Sequence, residues 1–175
     1  MNRPSARTRP SRPLAATRSG IGYDSHRLEE GRRLVLGGVE VPGAERGLVG
    51  HSDADVLSHA LIDALLGAAG LGDIGQHYPD GDERWLDADS IELLREVCQF
   101  LHDHGWAVCH LDASVICEAP KLGPHRDAMR ERLAEAAGLP PLDVNVKFTT
   151  NEGMGFVGRG EGIAALAVAT VERGG

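Results

Sequence analysis

Cysteine is scarce in this chain of 175 residues: Cys98, Cys109 and Cys117 are the whole complement, odd in number and without a C-x-x-C pair. That excludes a disulfide framework and a cysteine-rich zinc cluster, and it fits reduced, buried thiols of a cytosolic protein. Long apolar runs are missing as well. No stretch approaches the roughly 20 residues that span a bilayer, and no signal-peptide core follows the basic start, which argues against secretion and against a membrane role. Cations are sparse beyond the first turn of the chain. Arg3, Arg7, Arg9, Arg12 and Arg18 belong to the head, leaving 13 basic residues against 26 acidic ones for the remainder. An acidic body of this kind excludes a nucleic-acid partner, because phosphate contacts need clustered Lys and Arg. A phosphorylated ligand would have to find its positive charge in metal ions or backbone amides.

What the sequence does contain is one domain's worth of alternating elements. Residues 1–19, rich in Arg, Ser and Pro, read as a disordered basic extension, with import into a plastid-like organelle as the lesser reading of the same composition. Residues 20–175 read as a single catalytic domain. Residues 21–26 alternate like a strand, and two apolar runs around Gly37-Gly38 signal a hairpin. Ser52-Asp-Ala-Asp55 reads as a capping box opening a helix to about Ala69. A loop follows over 70–89, then a helix over 89–104 with Ser90, Leu93, Leu94, Val97 and Leu101 at helical spacing. A strand over 107–118, a helix over 125–138, and strands over 144–150 and 163–171 complete the order.

Two motifs bear on chemistry. Gly153-Met-Gly155-Phe-Val-Gly158 matches the dinucleotide fingerprint G-x-G-x-x-G, yet it precedes a strand close to the last residues given instead of following the first strand and opening a helix. The match is accidental, and the glycines point to tight turning or close approach. Asp24 and His26, two apart on a strand, leave the same face and offer one oxygen and one nitrogen suited to zinc. His59 is the best third ligand, with Asp55 and Asp63 one turn to either side able to hold its other ring nitrogen. Three protein ligands leave a tetrahedral ion one open position, as in reactive sites. Thr149-Thr150-Asn151-Glu152 supplies hydroxyls, amides and a carboxylate for a second, harder ion.

Five separated blocks then add up. G-Y-D-S-H (22–26), H-S-D-A-D-V-L-S-H-A (51–60), G-D-I-G-Q-H-Y-P-D (72–80), E-A-P-K (118–121) and T-T-N-E-G-M-G-F-V-G-R-G-E-G (149–162) resemble, in order, the 2-C-methyl-D-erythritol 2,4-cyclodiphosphate synthase family. The resemblance implies an α+β, ferredoxin-like fold: a mixed four-stranded sheet with helices on one face plus a small hairpin, assembled as a homotrimer around the sheets. It implies conversion of 4-diphosphocytidyl-2-C-methyl-D-erythritol 2-phosphate to the cyclic diphosphate plus CMP, a step of non-mevalonate isoprenoid synthesis in the bacterial cytoplasm. The substrate's own 2-phosphate attacks the β-phosphorus, which agrees with the lack of any nucleophile–base arrangement in the sequence.

By similarity, Asp24, His26 and His59 hold Zn²⁺ or another divalent metal, and Glu152 holds Mg²⁺ or Mn²⁺ through the phosphates. Catalysis falls to Glu152, Thr150, Ser52 and His51, of which His51 and Ser52 contact phosphate. Asp73, Gly75 and Asp80 match positions for ribose or methylerythritol hydroxyls, and Ala119, Pro120 and Lys121 match the cytidine pocket. Thr149 and Thr150 match contacts to the CDP phosphates, and Asp24, His26 and Asn151 complete the substrate set. Phe156, Arg159 and Glu161 match the lining of a central cavity proposed to take an isoprenoid diphosphate, with intersubunit ion pairing as the plainer role of Arg159 and Glu161. Tyr23, Ser25 and Asn151 depart from commoner residues without removing a ligand. The expected form is the stand-alone synthase, not one fused to a cytidylyltransferase. Two other readings compete: a phosphohydrolase using metal-bound water, and a zinc-stabilised trimeric binding module.

Overall fold

The computed structural model describes residues 16–79 and 81–173. The basic head up to residue 15, on which the import reading rests, lies outside the described residues, as does Asp80.

Strand β1 (Ala16–Glu30) is the longest element. It pairs antiparallel with β7 (Gly162–Arg173) from Ala16↔Arg173 to Arg27↔Gly162. The strand thus starts five residues before the expected Ile21, because Thr17, Arg18 and Ser19 carry no apolar alternation to announce it. Its last residues run past the β7 ladder, and on the opposite edge of β1, β4 (Arg46–Val49) pairs Arg27↔Val49 through Glu30↔Arg46. β5 (Ala107–Ile116) pairs antiparallel with β7, and β6 (Val144–Thr149) lies parallel to β5. The sheet is therefore mixed and five-stranded, in the order β4-β1-β7-β5-β6, not four-stranded. β2 (Val35–Leu36) and β3 (Val39–Glu40) form the expected hairpin. Gly37 and Gly38 turn it with φ of 55° and 68°, the left-handed pair that a two-residue I′ turn requires.

Helix α1 (Val56–Ala69) lies on β1 and β7. Ser52 does not cap it. Asp55 does, accepting from the amides of Leu57 and Ser58, so the helix begins at Val56. The contact with β1 is made by backbone: a Cβ on Gly20 would sit 2.1 Å from the Ala64 carbonyl oxygen, and one on Gly22 1.9 Å from that of Ala60. Ala165, Ala167 and Ala169 keep the neighbouring strand equally low and are buried. A four-residue helix, α2 (Ile74–His77), and a short 3₁₀ turn at Glu83–Trp85 occupy the expected loop. Helix α3 (Ser90–Asp103) buries Ser90, Leu93, Leu94, Val97 and Leu101, the five spaced for it in the sequence. Helix α4 (Arg126–Ala137) crosses from β5 to the parallel β6 and ends at the left-handed Gly138. A last turn, α5 (Gly155–Gly158), precedes β7.

The three cysteines are free, and burial pushes the Cys98 thiol up to about 12. Among the described residues no helix is long and apolar enough to cross a membrane. On the sheet face opposite the helices, Ile21, Tyr23, Leu166 and Val168 are 68%, 55%, 42% and 40% exposed. In the described chain they form an apolar patch that nothing covers.

Two glycine substitutions separate backbone approach from helix propensity. Gly22→Ala is expected to destabilise the fold by about 3 kcal/mol, because rigid backbone meets the new methyl group. Gly67→Ala, whose Cβ would have its nearest neighbour at 3.9 Å, is expected to stabilise by roughly 0.5–1 kcal/mol. Urea midpoints at constant m-value would measure both.

Candidate functional site

The close packing of α1 on β1 brings three side chains together. Asp24 and His26 point from β1 toward the helix, and His59 comes from the first turn of α1. Asp24 Oδ2 lies 3.0 Å from His26 Nε2 and 3.0 Å from His59 Nδ1, and the two nitrogens are 3.3 Å apart. His26 Nδ1 donates to the Val49 carbonyl at 2.7 Å, which leaves Nε2 as the atom with the lone pair. Burial alone would raise the Asp24 carboxyl. When the rings are protonated toward it, hydrogen bonds and charge from His26 and His59 outweigh burial and hold the group well below the usual carboxylate range; with the rings neutral, a bound cation would take the place of those protons. One carboxylate oxygen and two ring nitrogens facing a single point need positive charge between them. The donor set fits a divalent cation bound through one oxygen and two nitrogens.

The acids expected beside His59 are engaged elsewhere. Asp55 caps α1 and also accepts from the Gly38 amide and the Ser58 hydroxyl, both at 2.8 Å. Burial foremost, then the charge of Asp53, raises its carboxyl above the ordinary range. Asp63 accepts from the Ile74 amide at 2.8 Å. His59 Nε2 instead meets Ser90 Oγ at 2.9 Å and Ser52 Oγ at 3.1 Å. In the sequence Ser90 carries only the signal of a helix-face position, and nothing there marks it as a site residue.

The triad opens on a cavity of about 180 Å³, to which His51, Ser52 and Gly75 contribute polar walls and Ile74, Tyr78 and Trp85 apolar ones. His51 is tethered through Nε2 to the Asp82 carbonyl at 2.9 Å. Asp73 caps α2 through the Gln76 amide at 3.0 Å, so its carboxylate is partly committed to local structure.

The remaining candidates gather elsewhere. Pro120, Lys121, Thr149 and Thr150 line a second cavity of about 440 Å³ together with Cys117 and Phe148. Ala119, joined to Pro120 by a cis bond, lines a neighbouring cavity with Pro120 and Arg46. Glu152 sits in the left-handed region at φ 51° and accepts from the Thr150 hydroxyl at 2.8 Å. Glu118, unassigned from the sequence beyond its place in E-A-P-K, clamps this turn: its Oε1 accepts from the amides of Asn151 at 2.8 Å and Gly153 at 3.2 Å. Asn151 also donates its side-chain amide to the Met154 carbonyl. Arg159 pairs with Glu161 of the same chain at 2.7 Å beside the half-exposed Phe156.

The described chain does not by itself unite the two groups. Asp24 is level with Ala165, Val115 and Phe148 across the sheet, which places the triad strand and the Thr149 strand three strand spacings, about 14 Å, apart. Fold and site together define an α+β protein with a candidate divalent-metal centre beside one cleft and a second, polar-edged cleft across the sheet. The chain belongs to the YgbB family, whose profile matches residues 17–172.

It is 58% identical over 155 residues to a 2-C-methyl-D-erythritol 2,4-cyclodiphosphate synthase of Salinibacter ruber, covering 89% of this chain and 98% of that one. A bifunctional IspD/IspF enzyme of Anaeromyxobacter dehalogenans is 55% identical over 91% of this chain, which spans only 41% of that longer protein. Among solved structures, a 2C-methyl-D-erythritol-2,4-cyclodiphosphate synthase in its CDP-bound form superposes with a TM-score of 0.79 at 41% identity, covering 87% of this chain and 98% of that one.

The geometry predicts that His59→Ala weakens zinc binding by more than the roughly 100-fold of an outer-shell change. Asp63→Asn, which changes a hydrogen bond to Ile74 and leaves only a through-space charge effect on Asp24 and His59, is expected to change zinc affinity far less than His59→Ala. Competition against a chromogenic chelator would measure both.

Proposed function

We propose that this chain is a 2-C-methyl-D-erythritol 2,4-cyclodiphosphate synthase of the non-mevalonate isoprenoid pathway. The observation that carries the reading is the Asp24–His26–His59 triad, open to a cavity, in a chain so similar to named synthases along nearly its whole length. The substrate is 4-diphosphocytidyl-2-C-methyl-D-erythritol 2-phosphate. An oxygen of its 2-phosphate forms a bond to the β-phosphorus while the bond from that phosphorus to the oxygen bridging it to the α-phosphorus breaks. CMP leaves with the bridging oxygen, and the eight-membered cyclic diphosphate remains.

The protein's part in such a reaction is positioning and charge neutralisation. Asp24, His26 and His59 would hold Zn²⁺ or a similar ion, and Glu152 would hold Mg²⁺ or Mn²⁺ through the phosphates; bound there, the cations neutralise charge on the reacting diphosphate. His51 and Ser52 orient the terminal phosphates at the entry to α1. Gly75, Asp73 and Asp80 take sugar or polyol hydroxyls, while the apolar wall of Ile74, Tyr78 and Trp85 excludes water. Ala119, Pro120 and Lys121 frame cytidine, and Thr149, Thr150 and Asn151 face the CDP phosphates. The left-handed turn at Glu152, held by Glu118, fixes that carboxylate toward the leaving group.

The same reading includes a homotrimer of ferredoxin-like protomers. Two features support it. The triad and the Thr149–Glu152 turn lie too far apart in one protomer to meet at the same diphosphate, and a threefold array would let the cleft of one protomer meet the turn of the next. The apolar sheet face of Ile21, Tyr23, Leu166 and Val168 would then be buried about the axis. Phe156 and Arg159 would border a central cavity suited to an isoprenoid diphosphate. The described chain acts as one catalytic domain.

Phosphorus NMR on the purified protein with zinc, Mg²⁺ and substrate tests the reading. CMP and cyclic diphosphate are expected in equal amounts, His59→Ala producing neither and Glu152→Gln losing about 10²–10³-fold in kcat. Linear phosphates in place of the ring would overturn cyclisation. Chelation is expected to stop turnover reversibly while circular-dichroism melting shows a surviving fold, the behaviour of an open site and not a structural one.

A further inference from the structure

His59 reaches the triad with a nitrogen at each end of its ring occupied, and the direction of the hydrogen bond at the far end decides which atom keeps a lone pair. Neutral imidazole carries one N–H, so a donating Nε2 leaves Nδ1 free to ligate and an accepting Nε2 does the reverse. Nothing on α1 itself settles this, since Asp55 and Asp63 are committed to other amides. The nearest partners are two hydroxyls. Ser52 Oγ, at 3.1 Å, accepts from the Ala54 amide, and its own proton can turn toward the ring. Ser90 Oγ, at 2.9 Å, is different: it donates to Asp53 Oδ1 at 2.5 Å. A carboxylate only accepts, so the single proton of Ser90 is committed and its oxygen can only receive one from His59. Asp53 is itself fixed, because its other oxygen accepts from the Ser90 amide at 3.1 Å and its own amide donates to the Ala88 carbonyl at 3.1 Å.

We propose that Asp53, acting through the fully buried Ser90, is the positioning pair that holds His59 with its proton on Nε2 and its lone pair on Nδ1, toward Asp24 and His26. The inference rests on the metal reading of the triad given above and extends it. The third ligand is oriented by the loop before α1 and the first residue of α3, not by the helix that carries it. Ser90 opens α3 directly beyond its cap, Asp89. The seating of α3 and the metal affinity of the triad are therefore coupled. Outer partners of ligating histidines work in this manner generally, and their loss weakens metal binding by about 10–100-fold.

The test compares zinc dissociation constants of the full chain as wild type, Ser90→Ala, Ser90→Thr and Asp53→Asn, each with a thermal melt, and records nitrogen-15 spectra of the zinc-loaded forms. Ser90→Ala and Asp53→Asn are expected to bind zinc about 10–100-fold more weakly, and Ser90→Thr, which keeps the hydroxyl, to bind near the wild-type value. The loaded wild type should show a slowly exchanging His59 Nε2–H that disappears in Ser90→Ala. Asp53→Asn carries the most weight: it keeps shape and Ser90 but offers a donor where the relay needs an acceptor. Unchanged affinity in folded Ser90→Ala and Asp53→Asn would overturn the inference, as would a loaded wild type whose His59 is unprotonated at Nε2. Should Ser90→Ala fail to fold, the Asp53→Asn affinity and the wild-type spectrum decide. A wild type that binds no zinc would instead overturn the metal reading itself.

Discussion

Helix α1 rests on β1 with bare backbone between them at Gly20 and Gly22, and the positions of the other candidate site residues follow from that approach. Any side chain at Gly22 would drive into the Ala60 carbonyl, so the helix sits as low as two main chains allow. That depth is what lets His59, one turn into the helix, reach two residues of the strand beneath it. The alanines of β7 extend the shallow bed across the next strand. A core built from small residues here gives up apolar volume. The larger side chains of α1, Leu57, Leu61 and Leu65, recover it elsewhere in the core.

Electrostatics then refines what packing brings close. Asp24 would be strained by burial if it stood alone. Beside two histidines its ionised form is favoured, and the three donor atoms form a cluster that could hold a metal ion. Each ring is steered from behind by a different segment, His26 by the Val49 carbonyl of β4 and His59 by Ser90 of α3. Strand β4 and helix α3 thus do more than complete the sheet and the core: they set ring orientation. On the other side of the sheet, Glu118 plays a comparable part by gathering two amides around Glu152.

The separation of the two clefts and the uncovered apolar face are properties of one protomer that make sense together. A chain that buried Ile21, Tyr23, Leu166 and Val168 by itself would need a second helical layer, and none of the described elements supplies it. The proposed association of copies through this face would answer both features at once. The acidic body fits the same proposal, in which cations and backbone amides, not lysine clusters, would meet the phosphates.

By itself the sequence determined the local periodicities and the chemical inventory. The spacing of Ser90, Leu93, Leu94, Val97 and Leu101 gave α3, Gly37-Gly38 gave the hairpin turn, and Asp24, His26 and His59 stood out as a donor set. These signals were legible because backbone geometry repeats over two or four residues, within the reach of a pattern. Only the tertiary structure decided that β4 extends the sheet, that Asp55 and not Ser52 caps α1, that Asp63 serves Ile74, and that Asp53 and Ser90 stand behind His59. Ser90 and Asp53 are 37 positions apart in the chain, and no periodicity links residues so distant. Their meeting is fixed by how deeply α1 settles on two glycines and where α3 then docks, a balance of packing that no single stretch of the chain encodes.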